Sequence, residues 1–239
     1  MQKKFSVYSR SQTTPHYLQL IEFYSTMHSE GYAQLRGNNA VHKPGEKAFP
    51  GKKTLDYRDA IKSICTDFQC KSLFDYGAGK AGHYSSSISI EDGEDGKIYK
   101  GLQDYWGIED LQTWEPGLDN GQPEGKHDIV ITVDVLEHCY LGDIFWIVDE
   151  LFRLASKVVF ANVACYPAKA VLPNGENVHT LVRTPDWWHG VFDSVAASHE
   201  NIDYVLCCAA PPTSAGREHK WYRRHEVEAE IDERTMFAR

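Results

Sequence analysis

Ser72-Leu73-Phe74-Asp75-Tyr76-Gly77-Ala78-Gly79-Lys80-Ala81-Gly82 is an apolar run that breaks into a glycine loop, with a carboxylate just ahead of the break. The glycines satisfy G-x-G-x-x-G, the spacing with which a strand turns into a ligand-binding loop in doubly wound α/β folds. In dinucleotide-binding proteins that loop cradles a pyrophosphate. Asp75 argues against such an occupant, because a carboxylate at the strand tip repels a diphosphate and attracts a ligand carrying an ammonium and a sulfonium.

Moving outward, Gln112-Thr113-Trp114-Glu115-Pro116 reads as a second strand ending in an acid, and Asp128-Ile129-Val130-Ile131-Thr132-Val133 as an apolar strand running into Asp134-Val135-Leu136-Glu137-His138. Glycine loop, acidic strand end and D-V-L-E-H, in this order, resemble the class I S-adenosylmethionine-dependent methyltransferases. The stretches 73–80 and Leu172-Pro173-Asn174-Gly175-Glu176-Asn177-Val178-His179 are also similar to a compact subgroup from bacteria and their phages. The resemblance covers most of residues 49 to 190 and implies a Rossmann-like, doubly wound, mostly parallel α/β sheet.

The same resemblance assigns roles. Asp75 and the amides of Gly77, Ala78 and Gly79 would hold the methionine portion of S-adenosylmethionine, Glu115 with Pro116 the ribose, and Asp134 with Val135 the region of the methyl donor. S-adenosylhomocysteine would be the product. His138 and His179 are the candidate catalytic bases or acceptor-positioning groups. Arg183, Trp187 and Trp188, in the segment after the fifth strand, and Tyr17 on an amino-terminal helix are candidates for the acceptor site. Tyr24 and His28 are expected to join Tyr17 in a lid, with Phe49-Pro50-Gly51 beside its hinge. About a dozen residues separate Glu115 from Asp128, a reach of about 40 Å when extended, too few for the usual helix, third strand and second helix. The third strand is therefore expected to be missing, and adenine to be contacted through Leu118 or residues 121 to 126.

Periodicity supplies the remaining elements. A helical stripe from Tyr17 past Met27 predicts a helix ending near Gly31, with Leu35 continuing the stripe; 37 to 53 read as a loop. A helix is expected over 55 to 68, capped by Thr54, and another from Asp143 to Ala155 that buries Ile144, Phe145, Ile147, Val148, Leu151 and Leu154. Strands are expected at 157 to 163 and 202 to 208, a helix from Pro185 to about Ala197, and an antiparallel return over 220 to 227. The acidic run Glu91 to Gly96 lacks the ligand alternation of a calcium loop and reads as a solvated turn. The whole divides into an amino-terminal helix and loop, 1–53, and a cofactor-binding domain, 54–239.

The chain of 239 residues is 42% hydrophobic and 12% aromatic, enough for a full core, and carries a formal charge of -9. That charge speaks against a long nucleic-acid footprint and for a small-molecule acceptor. Lys52-Lys53 and Arg223-Arg224 are the basic pairs, read as solvated surface. The six cysteines, Cys65, Cys70, Cys139, Cys165, Cys207 and Cys208, form no C-x-x-C pair, which fits free thiols in a reducing, cytoplasmic compartment. No metal-ligand spacing is recognisable among them or with His83, His127 and His138, so no metal is expected. No run is long and apolar enough to cross a membrane. The expected activity is methyl transfer to oxygen or nitrogen of a small molecule or sugar. Two alternatives use the same fold: an NAD-dependent oxidoreductase, and a non-catalytic subunit that binds cofactor without turnover.

Overall fold

The computed structural model describes residues 8–37, 39–84, 89–91, 96–118, 121–214 and 216–224. Its core is a six-stranded sheet built from β3 (Ser72–Tyr76), β6 (Asp110–Trp114), β7 (His127–Val133), β8 (Ala155–Ala164), β9 (Asp203–Ala209) and β10 (His219–Arg223), in the order β10-β9-β8-β7-β3-β6. All neighbours run parallel except β10, which pairs antiparallel with β9. This is the doubly wound order without its third strand: β6 forms the edge, and no strand lies beyond it among the described residues. Between β3 and β7 the chain order reverses, and ligands of open α/β sheets lie in the crevice outside such a switch point.

The central strands read as continuous apolar runs because both faces are covered. On one face α4 (Leu141–Leu154) and α5 (Pro185–Ala196) bury Ile144, Trp146, Ile147, Leu151, Trp188 and Phe192 against Phe74, Val130, Val159 and Leu206. On the other, α2 (Arg58–Asp67) and α3 (Gly101–Trp106) pack Ile61, Ile64, Leu102 and Trp106 against Leu73, Ile129, Ile131 and Phe160. The expected inward residue Phe145 is 51% exposed and its neighbour Trp146 is buried instead. Trp146 Nε1 donates to Asp143 Oδ1 at 2.8 Å, and Thr14 donates to the same carboxylate through its backbone N–H and its hydroxyl. Asp143 thus anchors the amino-terminal segment and caps nothing, whereas Thr184, ahead of Pro185, does cap α5 by accepting from Trp187 N.

α1 (Pro15–Glu30) starts at Thr14, whose side chain accepts from Tyr17 N, and stops at Gly31. The helix ends at Gly31 as expected; beyond it comes a hairpin of two short strands, β1 (Tyr32–Arg36) and β2 (Asn39–Lys43), the second inside the stretch expected to be loop. A 3-10 turn, Lys52–Tyr57, precedes α2, and Thr54 caps neither element. Directly after the glycine loop no helix forms among the described residues. The chain turns through 81–84 and continues as β4 (Ser89–Glu91) and β5 (Ile98–Lys100), paired antiparallel. Asp92 to Asp95, most of the predicted acidic turn, and the tail beyond Arg224 lie outside the described residues. Arg224 ends β10 by donating to the carbonyls of Ala196, His199 and Ile202, tying the last strand to the end of α5. No helix among the described residues is long and apolar enough to cross a membrane.

Candidate functional site

A cavity of about 350 Å³ opens at the carboxyl ends of β3, β6 and β7, within the size range of small-molecule sites. Its lining gathers most of the sequence-predicted residues: Gly77, Ala78 and Gly79 after β3, Glu115 and Pro116 after β6, Asp134, Val135 and His138 after β7, and His179. Tyr17, Tyr24 and His28 of α1 close another side, with Phe49, Pro50 and Gly51 beside them. Leu20 and Ile21 of α1, Trp114 and Ile147 extend that apolar wall. Leu118 and residues 121 to 126, the expected adenine contacts, do not line it.

The glycine loop is held in place by its own hydrogen bonds. The N–H groups of Gly77 and Ala78 both donate to Trp114 O, at 2.8 and 3.0 Å, and Lys80 N donates to Phe49 O at 2.9 Å. Gly79 N donates to Glu115 Oε2 at 3.0 Å, and Glu115 Oε1 accepts from Gly117 N at 3.1 Å. The amides of 77 to 79, expected to hold the methionine portion, are therefore already committed. What the loop offers a ligand is its shape and a carboxylate. Both glycines are required: φ is +86° at Gly77 and +58° at Gly79, and an added Cβ would fall 2.5 Å from Val135 Cγ2 or 2.4 Å from Phe49 O.

Asp75 is placed differently from the expectation. It shares the β3 face of Leu73, is 1% exposed, accepts from Tyr84 Oη at 2.6 Å and does not line the cavity. Burial pushes its carboxyl up to about 7, against the smaller opposing effect of the Tyr84 hydrogen bond. A direct contact between Asp75 and a ligand is thus not part of this geometry; Glu115 and Asp134 are the carboxylates at the cavity.

Arg183, Trp187 and Trp188 are also set apart. Trp188 is fully buried in the core under α5. Arg183 and Trp187 line a separate shallow groove with Cys165, Pro185 and Pro211, the guanidinium 5.7 Å from the Trp187 ring. Lys52 and Lys53, read from sequence as plain surface, instead join Lys43 and Lys169 in the cavity wall.

At the far end of the cavity Asp134, Glu137, His138 and His179 converge, with one potential ligand atom from each lying within 4.8 Å of the others. Asp134 takes a left-handed φ of +62° directly after β7, and a single 3-10 turn, Leu136–His138, follows. Glu137 is fully buried; its Oε1 accepts from Ala164 N at 2.6 Å, while Oε2 is buried with no hydrogen-bond partner. Burial, and then the charge of Asp134, push the Glu137 carboxyl well above the usual carboxylate range. His138 Nδ1 meets the Tyr24 hydroxyl at 2.5 Å, and its ring stands edge-on to His179 with centroids 4.7 Å apart. Burial and His179 hold the His138 imidazole down to about 4, so at neutral pH it is uncharged and a weaker proton acceptor than an ordinary histidine. His179 Nδ1 lies 2.5 Å from Tyr166 O, which fixes its tautomer with the proton on Nδ1.

The sequence points to Asp134, His138 and His179 one by one and does not group them with Glu137. The available signal was the i, i+3, i+4 spacing of Asp134, Glu137 and His138 in one turn after a strand. No sequence signal marks Arg10, which donates to both oxygens of Glu150 and to Tyr76 Oη, its guanidinium 4.6 Å from the Trp114 ring. That network fixes the amino-terminal segment against the ends of β3 and β6. Neither family models nor curated proteins nor solved structures give a match to this chain.

Proposed function

We propose that this chain is an S-adenosylmethionine-dependent methyltransferase that acts on oxygen or nitrogen of a small molecule. The observation that carries the reading is the state of the glycine loop. A pyrophosphate needs free backbone N–H groups at the start of a helix. Here the N–H groups of residues 77 to 80 are spent on Trp114 O, Glu115 Oε2 and Phe49 O, the described residues 81–84 form no helix, and a carboxylate stands against the loop. At the loop this disfavours a pyrophosphate and suits a nucleoside whose other end is cationic; Lys43, Lys52, Lys53 and Lys169 give other parts of the cavity wall the opposite sign.

In this reading Glu115 receives the ribose hydroxyls, its carboxylate being an acceptor only. The apolar wall of Tyr17, Ile21, Trp114 and Ile147 takes the adenine in place of the missing third-strand loop. The sulfonium points toward Asp134 and Val135. Methyl transfer is a single in-line displacement, so alignment and exclusion of water supply most of the acceleration. α1 serves both ends as the cavity's cover. His138, neutral and bonded to Tyr24, positions the acceptor.

The test is incubation of the protein with labelled S-adenosylmethionine and a fractionated pool of small cellular molecules. Label entering a low-molecular-mass fraction, with release of S-adenosylhomocysteine, is the expected result. Absence of transfer to every fraction, together with no binding of S-adenosylhomocysteine, would overturn it.

A further inference from the structure

We propose that Asp134, Glu137, His138 and His179 form a binding site for one divalent first-row transition ion at the acceptor end of the cavity. The four side chains offer ligand atoms within 4.8 Å of one another, close enough for a single ion to bridge them with small side-chain adjustments. Glu137 supplies the second observation. Its Oε2 is buried and finds no ordinary hydrogen-bond donor, Oε1 is fixed by Ala164 N, and the side chain its carboxyl is set against is another acid, Asp134; two acids meeting in a protein interior are costly unless a proton or a cation lies between them. A cation between the two converts repulsion into attraction.

The histidines fit the same occupant. The hydrogen bond from His179 Nδ1 to Tyr166 O leaves the lone pair on Nε2, the backbone-oriented arrangement that metal-binding histidines use. Tyr24 Oη holds His138 through Nδ1. Two imidazoles with two carboxylates favour zinc, cobalt or manganese over calcium and magnesium, which prefer all-oxygen sets. Asp134, His138 and His179 all face the cavity, so an ion held here keeps a side open to a ligand, as catalytic metal sites do.

The consequence for the reaction rests on the methyl-transfer reading. A divalent ion at this place binds an acceptor hydroxyl and lowers its pKa, so its proton leaves to solvent buffer at neutral pH. The oxygen lone pair then forms the C–O bond as the C–S bond breaks, its electron pair passing to sulfur and releasing S-adenosylhomocysteine. The acceptor class is thereby narrowed to alcohols and sugars.

Chelator-treated full-length protein is titrated with Co²⁺, followed by its visible absorption, and with Zn²⁺ by equilibrium dialysis, both without methyl donor. One ion per chain is expected. Asp134→Asn keeps a residue type that tolerates the left-handed backbone, and His179→Gln provides a second variant, each checked for folding by circular dichroism. Affinity lower by roughly tenfold or more in either folded variant supports the site. Failure of the wild type to bind stoichiometrically, or undiminished binding by the folded variants, overturns it. Binding of S-adenosylhomocysteine is measured separately: metal without that nucleoside keeps the site and removes the methyl-transfer reading, and the reverse outcome does the opposite.

Discussion

The two ends of the cavity are built on opposite terms. At the glycine loop every backbone donor from Gly77 to Lys80 is satisfied within the protein, by Trp114, Glu115 and Phe49. At the Asp134–His179 end a buried carboxylate oxygen finds no ordinary hydrogen-bond donor, and two acidic groups stand beside two imidazoles. A saturated wall gives shape and rigidity; an unsaturated one is where an ion or a reacting group gains most by arriving. One end can therefore position a ligand that the other end acts on.

If the loop end is a finished scaffold, its supports should show in stability before they show in binding. The largest such effect belongs to Asp75 behind the loop. Its folded pKa of about 7 lies above its ordinary 3.8, so the folded state holds its proton more tightly than the unfolded chain. The resulting contribution is fully present below about pH 4 and is lost as pH rises through 7, by on the order of 2–4 kcal/mol. Subtracting the Asp75→Asn stability curve from that of the wild type, measured by urea unfolding across this range, should isolate that slope. A flat difference would mean that Asp75 is not buried as a neutral acid.

Next comes Gly77→Ala, which forces a Cβ to within 2.5 Å of Val135 at a φ of +86°. The strain should cost about 2 kcal/mol and lower Tm by about 4–8 °C. An unchanged Tm would show that the loop is more pliable than a scaffold. Glu115→Gln keeps the shape and removes the charge, and calorimetry should find S-adenosylhomocysteine bound about tenfold more weakly, the loss of one charge-assisted hydrogen bond. Undiminished affinity would move the ribose away from β6. The smallest effect is expected for Arg183→Ala, whose side chain lines the other groove. Stability and methyl-transfer kinetics should shift by less than about 0.5 kcal/mol, and a large fall in kcat/KM would bring that groove into the acceptor site.

How far the sequence carried depends on which kind of information each residue needed. Strands β3, β6 and β7 and their acidic or glycine ends were legible because long apolar runs and strand-end loops are local signals, and strand ends at a switch point converge whatever the loops do. The direction of Asp75 was not, since period-two alternation tells which residues share a face but not which face the cavity opens on. Trp187 and Trp188 stay open to two readings for a similar reason: a tryptophan pair at a helix start looks the same whether it walls a site or fills a core. The hairpin after Gly31 has short strands with exposed β2 side chains, so no apolar alternation announced it. The grouping of Glu137 with His179 needed the tertiary path that brings a later segment over β7.

The central claim is that this cavity accepts a cationic nucleoside and refuses a dinucleotide. Isothermal titration of the purified chain with S-adenosylhomocysteine, and in parallel with NAD, tests it most directly. The account predicts one S-adenosylhomocysteine site per chain, weakened in Glu115→Gln, and no heat from NAD beyond dilution. Saturable NAD binding with indifference to S-adenosylhomocysteine would contradict it.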